Sequence, residues 1–69
     1  MKLKPLSPRE MQVAELVADD LSDKEIAMIL RLKVRTVHEY LDRIGRKLGA
    51  ARWARRRIIR VWIARQRAA

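Results

Sequence analysis

Apolar residues recur along the chain in four blocks, each at helical spacing. Val13, Ala14, Val17 and Ala18 repeat as neighbours one turn apart, the mark of one buried helix face. Ile26, Ala27 and Leu30 do the same over a shorter stretch. Val34, Val37, Leu41, Ile44 and Leu48, spaced 3, 4, 3 and 4, make the cleanest stripe. The last block holds Ala54, Ile58, Val61 and Trp62, with Ile59 and Ile63 lying about 100° round the helix from Ile58 and Trp62. That arc is too wide for one contact surface.

The residues between the blocks place the helix ends. Ser7-Pro8-Arg9-Glu10 reads as a capping box, with proline at the first helical position and Leu6 and Met11 as a hydrophobic staple. That helix is expected to end near Ala18 or Asp19. Ser22-Asp23-Lys24-Glu25 is a second capping box, opening a short helix that stops before Arg31-Leu32-Lys33. Gly49 is a natural stop for the third helix, and the fourth is expected from about Ala51 to Arg65. The chain therefore reads as all-α, four helices joined by short turns.

Length and charge narrow the function. One small domain of 69 residues leaves no room for a deep catalytic cavity beside a core. There is no cysteine, one histidine and no glycine-rich phosphate loop, so neither a metal site, a cofactor nor a catalytic triad is expected. No apolar run approaches the ~20 residues of a membrane span, and a cytoplasmic, nucleoid-associated protein is expected. Lys and Arg number 17 against 8 Asp and Glu, for a net +9. Up to Val34 six positive residues balance six negative; from Arg35 onward eleven face two, so the whole excess of nine lies in the second half. One neutral and one strongly basic part is the footprint of a polyanion binder.

Two short helices joined by a tight turn, the second with a basic outer face, fit a helix-turn-helix at about residues 22–41. Leu6-Ser7-Pro8-Arg9-Glu10, Ser22-Asp23-Lys24-Glu25-Ile26-Ala27, Arg35-Thr36-Val37, Ile44 and Arg46-Lys47-Leu48-Gly49 together resemble the LuxR/GerE-type DNA-binding domain. The resemblance covers about residues 6–63. It implies a four-helix domain over residues 6–65, between tails at 1–5 and 66–69. Its third helix would enter the major groove of duplex DNA, and its fourth would support a homodimer. The sequence departs from the usual pattern at several places. Asp20 stands where glycine is usual, so that turn is expected to differ. Asp23 replaces a usual asparagine, and Lys33 a usual capping serine. His38, Tyr40 and Asp42 alter the third helix.

Candidate contacts follow. Arg35 and Arg43 could reach base edges or backbone, with Arg46 beside them, while the resemblance puts Thr36 and Lys47 near phosphates. Ser22 and Lys24 are placed to position the DNA backbone at a helix N-terminus. His38 is either a base or phosphate contact or simply exposed. Glu39 could accept from a cytosine amino group or pair with Arg43, and Asp42 is expected to pair with Arg46 rather than accept from cytosine. Met28 and Ile29 are expected to extend the core, or else to form an exposed partner surface. Trp53 and Trp62 are expected in the core or an interface. If Ala54, Ile58, Val61 and Trp62 face the core, Ile59 and Ile63 point outward and form the dimer contact with Trp62, flanked by Arg56, Arg60 and Arg67. With no receiver or ligand-sensing domain expected, control would fall to abundance or a partner. Two further uses stay open: a protein adaptor touching RNA polymerase or a second regulator, and RNA binding by the Arg-rich fourth helix.

Overall fold

The computed structural model describes residues 6–69, so the tail assigned to residues 1–5 lies outside the described residues. Four helices follow in order: α1 (Pro8–Ala18), α2 (Asp23–Leu30), α3 (Val34–Lys47) and α4 (Arg55–Ala68), with a single 3₁₀ turn, Arg52–Ala54, leading into α4. Among the described residues there is no strand. The helical turn before α4 moves its start four residues beyond the expected Ala51. Its end runs on through Ala68, so the tail expected at 66–69 is helical up to that residue.

Both capping boxes form as read. Ser7 Oγ accepts the Glu10 N–H at 3.2 Å while Ser7 N–H donates to Glu10 Oε1 at 2.8 Å. Ser22 and Glu25 repeat the exchange at 3.2 and 2.9 Å. These bonds satisfy helix-start amides that have no partner within the helix.

The first three helices end alike. Asp20, Arg31 and Gly49 are left-handed, with φ of 68°, 55° and 70°. In each case the next residue's N–H reaches back to a carbonyl five residues earlier: Leu21 to Leu16, Leu32 to Ala27 and Ala50 to Gly45. This is the Schellman motif, which satisfies two orphan carbonyls per helix. Asp20 thus keeps the left-handed turn that glycine would make easily. The turn was expected to differ because of its side chain, but the hydrogen bonds and the packing of Leu21 against the core hold it.

The core joins Val13, Ala14 and Val17 of α1, Ile26 and Ala27 of α2, Val37, Leu41 and Ile44 of α3, and Ile59 and Ile63 of α4. α4 begins close to α3 at Gly45, where a Cβ would meet Arg55 Cβ at 3.4 Å. The expected facing of α4 is overturned. Ile59 and Ile63 are 0% and 2% exposed, whereas Val61 is 48% exposed and Ile58 and Trp62 are half-buried. A dimer contact through Ile59 and Ile63 is excluded, since both already pack inside the fold. The reason lies in Arg56, Arg60 and Arg67, which share the inner arc with the two isoleucines. Their heads reach Asp23, Asp20 and Asp19 at the α1–α2 corner. Arginine stems cover apolar surface while their charged heads find partners, so a face that looks polar in sequence is the buried one.

Three other large apolar residues stand at the surface. Of the two placements open to Met28 and Ile29, the core or an exposed surface, the second is found: they are 76% and 56% exposed on α2. Trp53, on the 3₁₀ turn, is 86% exposed, which excludes the core of the two expected places.

Candidate nucleic-acid interface

The buried stripe of α3 fixes what its other side presents. With Val37, Leu41 and Ile44 inward, Arg35, His38, Glu39, Arg43 and Arg46 are exposed on the opposite face. Thr36 and Lys47 are half-buried on one flank, with Tyr40 between them, and Asp42 is half-buried on the other. At a rise of about 1.5 Å per residue this face is roughly 20 Å long. Such a rod fits a major groove about 12 Å wide.

Ion pairing separates the cations braced inside the fold from those left around α3. Lys47, Arg55, Arg56, Arg60 and Arg67 all have carboxylate partners inside the chain: Glu10, Asp42, Asp23, Asp20 and Asp19. Lys24, Arg31, Lys33, Arg35, Arg43 and Arg46 are exposed and have no carboxylate partner among the described residues. The second set lies on α2, the α2–α3 turn and the outer face of α3. Much of the charge of α4 is thereby neutralised, although Arg57 and Arg65 remain exposed on it without a carboxylate partner, as do Arg52 in the 3₁₀ turn and Arg9 on α1.

Individual residues sort as follows. Arg43 lies over the Tyr40 ring, 5.4 Å from its centroid, within cation–π range. Glu39 is exposed and forms no ion pair with Arg43, which stacks on Tyr40 instead. Asp42 pairs with Arg55 of α4 and not with Arg46, so the contact is between helices. Lys47 does not point freely to solvent. Its Nζ is 2.6 Å from Glu10 Oε1, so it braces α1 against α3. His38 Nε2 lies 2.8 Å from Asp23 Oδ2. Ser22 is exposed at the N-cap of α2, its hydroxyl occupied by the Glu25 N–H, and Lys24 is exposed beside it.

Two carboxyl groups have shifted titration. Burial alone would raise Glu10, but hydrogen bonds from Lys47 and Ser7 and the charge of Lys47 more than offset it and hold the group below its ordinary value. Glu25 is lowered by the backbone and hydroxyl hydrogen bonds of Ser22. Neither shift lies on the outer face of α3.

The start of α3 is open. Lys33 occupies its N-cap and makes no side-chain capping bond. Arg31 and Lys33 were not singled out as contacts in sequence. Their signal was available, since both fall in the turn immediately before the basic helix. Arg56 carried no such signal for its partnership with Asp23, 33 residues away. Among the described residues no group of His, Asp and Glu could hold a metal ion, and no helix is long and apolar enough to cross a membrane.

A family model, GerE, described as bacterial regulatory proteins of the luxR family, matches residues 4–60. The chain is 50% identical over 44 residues to the transcriptional regulatory protein DesR of Bacillus subtilis, covering 64% of this chain and 22% of that protein. It is 45% identical over 47 residues to the transcriptional regulatory protein UhpA of Escherichia coli, covering 68% of this chain and 24% of that protein. The chain spans about a fifth of the length of the curated relatives it matches. No solved structure matches it.

Proposed function

Because the chain belongs to the luxR family of bacterial regulatory proteins, we propose that it is a sequence-specific, duplex-DNA-binding transcriptional regulator that lays α3 in the major groove. The observation that carries this reading is the sorting of charge. Lys24, Arg31, Lys33, Arg35, Arg43 and Arg46 remain exposed without carboxylate partners around α3, while Arg55, Arg56, Arg60 and Arg67 of α4 are paired internally. Arg35, His38, Glu39 and Arg43 reach base edges, and Ser22, Lys24, Thr36 and Arg46 hold the phosphate backbone. A phosphate completes the uncapped start of α3, where helix amides attract anions. The protein works in the cytoplasm, on the nucleoid.

It binds as a homodimer, so that two copies of α3 meet half-sites about one DNA turn apart. The contact uses the outer face of α4, where Val61 is exposed beside half-buried Ile58 and Trp62.

The test is binding to random and selected duplexes across a salt series. Affinity should fall steeply with salt, because each neutralised phosphate adds about 0.9 to the slope. Arg46→Ala should lower the slope by about one on any sequence, and Arg43→Ala should weaken the selected site more than random DNA. Undetectable duplex binding at ~50 mM salt and micromolar protein would overturn the reading.

One observation favours a second role. Met28 and Ile29 form an exposed apolar pair, with Ile29 edging a groove that also touches Leu16, Leu30 and Arg67. This surface suits contact with RNA polymerase or a second regulator. Met28→Glu should then change transcription without changing duplex affinity.

A further inference from the structure

Three helices meet at one carboxylate. Asp23 is the first residue of α2, held at the helix start by the Ser22–Glu25 capping box. Its Oδ2 lies 2.8 Å from His38 Nε2 on α3. Its Oδ1 accepts from Arg56 Nη1 on α4 at 2.7 Å. The other arm of that guanidinium, Nη2, donates to the Leu21 carbonyl in the α1–α2 turn. Both carboxylate oxygens are thus occupied, and Arg56 is fixed by two acceptors in a fork geometry that a flexible ammonium does not reproduce.

We propose that Arg56 and Asp23 are positioning residues for DNA recognition, fixing the His38 ring on the outer face of α3 so that α4 influences base preference through the Asp23 bridge. The proposal rests on the reading that α3 enters the major groove. An imidazole on an exposed helix face otherwise loses rotamer freedom on binding. Here the carboxylate holds it beforehand. Asp23 stands where the resemblance expects asparagine, whose neutral amide would not pair with the Arg56 charge as this carboxylate does.

The experiment uses the full chain and three single variants, His38→Ala, Asp23→Asn and Arg56→Gln, with the double variant His38→Ala/Arg56→Gln. Duplexes selected from a random pool by the unaltered protein are compared with scrambled duplexes. Loss of the Arg56 charge weakens both alike and cancels in the ratio. The ratio should fall about tenfold in each single variant, within the range of one base contact. The double variant should fall no further than His38→Ala, because Arg56 acts through the ring. In the free protein, NMR relaxation of the His38 ring should report a held ring that loosens in Asp23→Asn and in Arg56→Gln. An unchanged ratio in Arg56→Gln, additive losses in the double variant, or a ring equally mobile in all forms would overturn the proposal. If Arg56→Gln does not fold, Asp23→Asn decides by the same ratio and ring measurement. If no form binds duplex DNA, the reading of α3 as a recognition helix fails, and the link from ring to base preference fails with it. A ring that still loosens in the variants would then show that the bridge survives as a structural contact alone.

Discussion

Lys47 near the end of α3 and Glu10 in the first turn of α1 meet at 2.6 Å, 37 residues apart, with Glu10 buried and Lys47 half-buried. Glu10 is the one buried charged side chain among the described residues. It closes the capping box of α1 and receives Lys47 with the same Oε1. Removing the lysine leaves a buried carboxylate with only its Ser7 partners. Lys47→Met should therefore destabilise the fold by about 1–3 kcal/mol. At about 4–8 °C per kcal/mol this is a clear drop in Tm for a domain this small. Arg46→Met, one residue earlier and exposed, should stay within about 0.5 kcal/mol. Thermal melting by circular dichroism checks both, and equal melting of the two variants would remove the brace.

The same pair sets a pH dependence. The Glu10 carboxyl is held below its ordinary value of 4.5, so the unfolded chain binds the proton more readily than the folded one. The contribution is fully present above that ordinary value. It is lost as pH falls from there through the lowered folded value. Denaturant unfolding at neutral pH and near pH 3 should show the gap between the unaltered protein and Glu10→Gln shrinking at the acid end. A gap that stays constant, or grows, would contradict this linkage.

Asp20 and Arg31 hold left-handed backbone that costs an L side chain about 1 kcal/mol or more. Glycine removes that strain at the expense of a more flexible unfolded chain. Asp20→Gly and Arg31→Gly should each raise stability by about 0.5–1 kcal/mol. The Asp20–Arg60 contact, at 3.9 Å and well exposed, offsets little of this. Arg31→Gly should at the same time reduce the salt slope of duplex binding, since it deletes an exposed cation beside α3. Denaturant midpoints measure the first effect and a salt titration the second. A fall in midpoint for both variants would mean that the side chains contribute more than the turn strains.

What the sequence made legible was local. Ser7, Ser22 and Gly49 mark their helix ends by hydrogen bonds within a few residues, and each is found in that role. The α3 stripe from Val34 to Leu48 leaves one inward solution, so its outer residues were readable as well. The remainder depends on partners distant in the chain. Glu10 is legible as a member of a capping box, but not its burial or its pairing with Lys47, 37 residues away. Asp42 looked like a partner for Arg46 one turn on, yet Arg55 reaches it from α4. Periodicity records where a side chain points along its own helix; it does not record which helix supplies the opposite charge. The arginines on the inner arc of α4 therefore counted as polar, and the helix was turned the wrong way.

That rotation yields the sharpest test. Ile59 and Ile63 are buried against α1 and the rest of the core, whereas Val61 projects from the other side of the same helix. Truncating a buried isoleucine removes its transfer energy and leaves a cavity, so Ile59→Ala and Ile63→Ala should each cost about 2–5 kcal/mol. For a domain whose total stability is of the order of 5 kcal/mol, the double change should leave little folded protein. Val61→Glu replaces an exposed methyl pair by a charge and should melt nearly as the unaltered protein does. If the outer face of α4 joins two copies, Val61→Glu should also shift sedimentation in the presence of a two-half-site duplex from two bound copies toward one. The three variants thus separate core from contact surface. Melting unaltered by Ile59→Ala would return that residue to the surface. Two copies still bound by Val61→Glu, at unaltered affinity, would move the dimer contact off α4.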